Sequence, residues 1–90
     1  MEGRTYVYRM IDIERDFQDV KHGPLSESGG HTLGEWALIL EAELAEFKVA
    51  LIKGGKGRDS VRSELIQIAG VAIAALEQHG VKDPHDGRQV

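Results

Sequence analysis

Ninety residues with a formal charge of -4 and no cysteine make one domain. They exclude a disulfide framework, a thiolate metal site and the basic face that general nucleic-acid binding needs. A chain this short buries only about 60–65% of its unfolded surface, so its core is either very apolar or shared between copies, and a homo-oligomer is expected. The opening segment, MEGRTYVYRMIDIERD, is charged throughout and has no signal-peptide-like apolar stretch. No run approaches the roughly 18 uncharged residues of a membrane span, so a cytoplasmic chain without a membrane partner is expected.

In chain order, an amphipathic helix is predicted from about Thr5 to Lys21. Tyr6, Met10, Ile13, Phe17 and Val20 recur at steps of four and three as its apolar stripe, while Arg9, Asp12, Arg15, Asp16 and Asp19 form a solvated face. Gly23-Pro24 ends it, because glycine accepts the left-handed cap and proline cannot continue the ladder. Leu25 to His31 then reads as a flexible loop.

Thr32 and Glu35 have the spacing of a capping box and open the second helix. From Leu33 to Ile52 this helix is apolar around most of its circumference, which makes it either central or part of an oligomer interface. Lys53, Lys56 and Arg58, interleaved with glycines, close it with positive charge at the negative end of the helix dipole. Asp59 or Ser60 caps a third helix that runs to about His79 and stops at Gly80. Its Ala69, Gly70, Ala72, Ala74 and Ala75 permit close helix approach. The expected architecture is all-α, a single domain over residues 1–90 with a core of about 5–79, an antiparallel pair formed by the last two helices, and a mobile tail from 80 to 90.

Four polar residues break the apolar helices: Glu43 and Glu46 in the second, Glu64 and Gln67 in the third. Each pair is spaced i, i+3 and so occupies one helix face. At 100° per residue, Glu43 and Glu46 share a stripe with Trp36, Ile39 and Ala50, and Glu64 and Gln67 align with Ser60, Val71 and Ala75. On an exposed face these glutamates simply solvate the helix. Inside, a carboxylate must be paired, bound to a cation or at a pocket rim, because burying it alone costs several kcal/mol. Oxygen ligands without His or Cys suit Mg²⁺ or Mn²⁺, and Mg²⁺ held by a few carboxylates completes its shell with water and phosphate oxygens. Trp36 is either core or a surface for a base. The Lys53, Lys56 and Arg58 cluster is either a solvated cap or a phosphate holder, without the spacing of a P-loop. His22, His31, His79 and His85 lack ligand spacing.

The order of a first helix, a helix bearing Glu-x-x-Glu in EAELAEF, a linker and a helix bearing RSELIQIAG resembles the MazG-like all-α nucleoside triphosphate pyrophosphohydrolases. IERDFQDVKHG followed by HTLGEWALILEAELAE and SELIQIAGVAIAALE is similar to small MazG-like proteins of phage and prophage genomes, over about residues 13–79. The resemblance implies Glu43, Glu46 and Glu64 as metal ligands and a nucleotide as ligand. The family's last motif residue is an aspartate, and here it is Gln67, which offers a carbonyl oxygen but neither charge nor base.

Two functions follow. In one the protein binds and sequesters a nucleotide or cyclic nucleotide signal without turnover, as suits a phage protein countering a host defence in the host cytoplasm. Arg9, Lys53, Lys56, Arg58 and Trp36 then contact phosphate and base. In the other it is a Mg²⁺-dependent pyrophosphohydrolase yielding monophosphate and pyrophosphate. Gln67 favours the first.

Overall fold

The computed structural model describes residues 3–25, 29–53 and 58–85, apart from the side chains of 58–60. They form an all-α domain of three helices, α1 (Arg4–His22), α2 (Leu33–Lys53) and α3 (Arg58–His79). No strand occurs among the described residues, and no helix there is long and apolar enough to cross a membrane. α3 begins at Arg58, so Asp59 and Ser60, expected to cap it, instead lie inside its first turn, and the end of the tail falls outside what is described. Punctuation follows local chemistry. Gly23 closes α1 at φ +83° and Gly80 closes α3 at φ +91°, left-handed conformations that cost a residue with a Cβ more than glycine. At the start of α2 the capping box closes in both directions: the Thr32 amide donates to Glu35 Oε1 at 2.8 Å, and the Glu35 amide donates to Thr32 Oγ1 at 3.1 Å. The hydrogen bond that the Thr32 amide donates to it, followed by one from the Thr32 hydroxyl, holds the Glu35 carboxyl below its ordinary pKa.

α3 packs against both other helices. Its C-terminal end meets the start of α2 through Gln78 and Trp36, and its N-terminal half meets mid-α2 through Glu64 and Glu43, so the two run antiparallel. Trp36, Val71 and Ala74 form the core between them, with Leu25, Ile39, Leu40 and Ala75 packed around. Of the two places expected for α2, the centre or an oligomer interface, the centre is thus taken by α3. The reason is side-chain size: α3 presents Gly70, Val71 and Ala74 as buried positions, so both neighbours can approach it. At Gly70 a Cβ would stand 2.7 Å from Gln18 Nε2 and 3.2 Å from Glu14 Cγ.

α1 docks on a different face from the one its periodicity predicts. Ile11 and Arg15 are buried, with Glu14 and Gln18 half-buried beside them, while Tyr6, Ile13, Phe17 and Val20 point to solvent. Arg15, predicted on a solvated face, is only 7% exposed. It lies against Glu77 of α3 and donates to Asp19 at 2.6 Å. Burial works against its charge, but the two carboxylates outweigh that, and its pKa is raised. A cross-helix ion pair and the space above Gly70 select this face, and neither is visible in a hydrophobic pattern. The described ends of the 25–31 connection, expected as a flexible loop, are tied to the helices. Leu25 packs on the core and His31 is bonded to Gln78. Residues 26–28 lie outside the described residues.

Candidate functional site

Glu43, Glu46 and Glu64 converge, each offering one carboxylate oxygen within 4.8 Å of the others. The helical spacing sets Glu43 and Glu46 one turn apart on α2, and the antiparallel packing brings Glu64 of α3 opposite them. One oxygen each of Glu43 and Glu64 is out of contact with water and has no hydrogen-bond partner. Desolvation, then the charges of Glu46 and Glu64, then a hydrogen bond with Glu46 and the charge of Glu14 push the Glu43 carboxyl above its ordinary pKa. Desolvation and the charge of Glu46 raise Glu64 in the same direction. Carboxylates so placed repel one another unless a proton or a cation sits among them. An all-oxygen donor set with buried lone pairs unpaired fits a hard divalent ion such as Mg²⁺ or Mn²⁺.

Beside the cluster a cleft of about 560 Å³ runs between α1, the connection to α2, and the α2–α3 pair. Trp36, Ile39, Val71 and Ala74 make its floor, and Glu43 and Gln67 lie in its lining with Glu14 and Gln18 of α1. Trp36 and Glu43 are seven residues apart on one helix face, about 10 Å. The volume falls within the range of small-molecule sites, roughly 300–1,000 Å³.

The two alternatives for Trp36 merge. It is core, only 6% exposed, yet it also lines the cleft. Its indole Nε1 donates to Gln78 Oε1 at 3.0 Å, and the His31 ring meets it edge-on at 4.8 Å. Gln67 also lines the cleft, one turn beyond Glu64 on α3. Of the basic residues named from sequence, Arg9 and Lys53 are not among the described residues that line the cleft. Arg9 lies in a separate depression with Tyr8, Asp12 and Ile73. Lys53 is exposed at the end of α2, seven residues and about 10 Å past Glu46. Lys56 and the Arg58 side chain lie outside the described residues. The cleft's own basic groups are Arg15, Lys21, His22 and His31.

Three contributors are absent from the sequence reading. Glu14 and Gln18 occupy the polar side of α1, and Gln18 Nε2 donates to Glu14 Oε2 at 3.0 Å while reaching the Gln67 carbonyl at 3.5 Å. Gln78 straps the connection to α3: its Oε1 accepts from the His31 amide at 2.8 Å, and its Nε2 donates to the His31 carbonyl at 2.6 Å. The i, i+4 spacing of Glu14 and Gln18 was the one available hint. The role of Gln78 depends on residues 47 and 42 positions away, His31 and Trp36. No family model, curated protein or solved structure matches the chain.

Proposed function

We propose that the cleft binds a nucleotide through a divalent cation held by Glu43, Glu46 and Glu64, and that this MazG-like chain retains the nucleotide without cutting it. The observation that carries the reading is the convergence of three carboxylates within 4.8 Å, two of them with a buried, unpaired oxygen. Mg²⁺ or Mn²⁺ relieves that repulsion and takes phosphate oxygens as further ligands. When bound, the cation neutralises phosphate charge and lowers the pKa of coordinated water. The apolar floor around Trp36 and Ile39 suits a base or sugar, with the phosphates toward Glu43 about 10 Å away. Gln67 supports retention over hydrolysis, since a neutral amide stands where the enzymes that the chain resembles carry a carboxylate. The ligand is then a nucleoside triphosphate or a cyclic nucleotide, sequestered in the cytoplasm of a phage's host by an oligomer of this chain.

A second reading, Mg²⁺-dependent pyrophosphohydrolysis, is favoured by one observation. Glu14 lines the same cleft from α1, close enough for its charge to raise the Glu43 pKa, and Gln18 orients it. A carboxylate there supplies the base that Gln67 cannot.

The test is to incubate the protein with nucleoside triphosphates and cyclic nucleotides, with Mg²⁺ and with a chelator, and to follow both retention and turnover. Retention of an unchanged nucleotide for hours supports sequestration. Multiple turnover to monophosphate, lost in Glu46→Ala and reduced in Glu14→Gln, makes the protein an enzyme. If no nucleotide binds under either condition, both readings fall.

A further inference from the structure

The back of α2 carries a second apolar seam. Leu38, Ala42, Ala45, Val49 and Ile52 recur at steps of four, three, four and three, the heptad spacing of a helix that packs against another helix. At 100° per residue the seam lies on the opposite side from Trp36, Ile39, Glu43 and Ala50. All five residues are exposed, Leu38 at 67% and Ile52 at 84%. The accessible surface is 7261 Å², where a folded monomer of this mass has about 5,200 Å². The radius of gyration is 14.8 Å, against about 12 Å for a domain of this length. That surplus, about 2,000 Å² on the same scaling, is a figure for the whole chain and includes the exposed Tyr6, Ile13, Phe17 and Val20 of α1 beside the α2 seam.

The seam's own order identifies its occupant. It is nearly palindromic about Ala45, so an antiparallel two-fold sets Leu38 against the partner's Ile52, Ala42 near the partner's Val49, and Ala45 against its own equivalent. Glu41 and Lys48 flank the seam on one side, both exposed, four residues before Ala45 and three after it. The same two-fold brings Glu41 opposite the partner's Lys48, twice per pair. The small residues at the centre allow the backbones to approach closely. We propose that a second copy of this chain docks on the back of α2, helix against helix and antiparallel, with Ala45 at the two-fold axis. This rests on the assembly stated under the proposed function and names its surface. The cleft opens on the other side of α2, and Glu46, the exposed member of the carboxylate group, borders the seam on the flank opposite Glu41 and Lys48.

The experiment is sedimentation at micromolar concentration with circular dichroism as a check on helix content. The wild-type chain is expected to sediment as a dimer or a multiple of one. Ala45→Glu, at an exposed helical position, should halve the mass or lower the association constant more than tenfold with helix content unchanged. At low salt Glu41→Lys and Lys48→Glu should each weaken association about fivefold, and E41K/K48E together should restore it. If Ala45→Glu does not fold, the charge-reversal set decides alone. An assembly whose mass is unmoved by Ala45→Glu, or a double reversal that fails to restore it, overturns the α2 interface while leaving oligomerisation intact. A wild-type monomer overturns both. Nucleotide retention by monomeric Ala45→Glu tests the cleft independently of either result.

Discussion

The two faces of α2 are almost equally apolar in sequence and end in opposite environments. One, with Trp36, Ile39, Glu43 and Ala50, lies on α3. The other, with Leu38, Ala42, Ala45, Val49 and Ile52, lies in solvent. What separates them is the polar residue each contains or lacks. The inner face includes Glu43, which is half-buried beside Glu46 and Glu64, where desolvation and then their charges raise its pKa. The outer face has no charged member, only charged flanks. An apolar stripe therefore specifies that a helix will be covered, while the interruptions in it indicate what chemistry the covering encloses.

The contrast can be broken most severely at Trp36. Trp36→Ala removes the largest core side chain of the α2–α3 pair and should cost about 3–5 kcal/mol, enough to unfold much of a domain this small. Urea denaturation followed by helix content measures it. A loss below about 1 kcal/mol would show that the inner face is not the core.

Next in size is the effect at the proposed cation site. Glu43→Gln keeps the shape of the side chain and removes its charge, so Mn²⁺ or Mg²⁺ affinity measured by calorimetry should fall by about 10–100-fold or more. Gln67→Asp should move it the other way by adding a charged oxygen one turn from Glu64. Equal affinity in wild type and Glu43→Gln would separate the carboxylates from metal binding.

A smaller effect belongs to pH. Glu43 and Glu64 have pKa values raised in the folded state, so over the interval above the ordinary carboxylate value the folded chain binds more protons than the unfolded one. Stability should therefore rise as pH falls through that interval, and the repulsion should act in full at neutral pH. Glu35 has the opposite sign and lowers stability only at more acidic pH, where its depressed pKa is reached. Thermal unfolding of metal-free protein from about pH 7 to 5 should show the rise, and E43Q/E64Q should flatten it. A flat wild-type profile would contradict the arrangement.

Gln78→Ala sharpens the comparison at the end of the cleft, since it releases His31 and leaves the indole N–H of Trp36 without its acceptor. A loss of about 1 kcal/mol is expected, with faster hydrogen exchange at residues 29–31. Least of all, Leu38→Ser on the outer face should change the stability of dilute, monomeric protein by no more than about 0.5 kcal/mol. A larger loss would mean that α2 has been assigned the wrong inner face.

Much of the local architecture was legible in the sequence because its causes are local. Thr32 and Glu35 close a capping box three residues apart, Gly23 and Gly80 supply left-handed caps, and the 3.6-residue period places Glu43 with Glu46 and aligns Glu64 with Val71. Those relations need only bond geometry and helical pitch. Even the convergence of Glu43, Glu46 and Glu64 follows once α2 and α3 are antiparallel neighbours, since each pair already interrupts an apolar stripe. The nucleotide contacts proposed for Arg9 and Lys53 were weaker inferences, because charge alone does not place a residue near a site. Arg9 occupies a separate depression and Lys53 the far end of α2.

Which side of α1 meets α3 was decided only by the tertiary structure. By sequence, Tyr6, Ile13, Phe17 and Val20 are its packing stripe, yet the buried face holds Arg15, Glu14 and Gln18, with Ile11 as its apolar member. That choice depends on Glu77, 62 residues away, to neutralise Arg15, and on the missing Cβ of Gly70 to admit Gln18. Burial of apolar area is non-directional and gives each helix a preference for cover, whereas ion pairs, hydrogen bonds and steric fit are directional and choose among the available covers. Sequence periodicity records the first kind of force. The cleft, its Glu14 wall and the Gln78 strap are products of the second, and they exist only where distant residues meet.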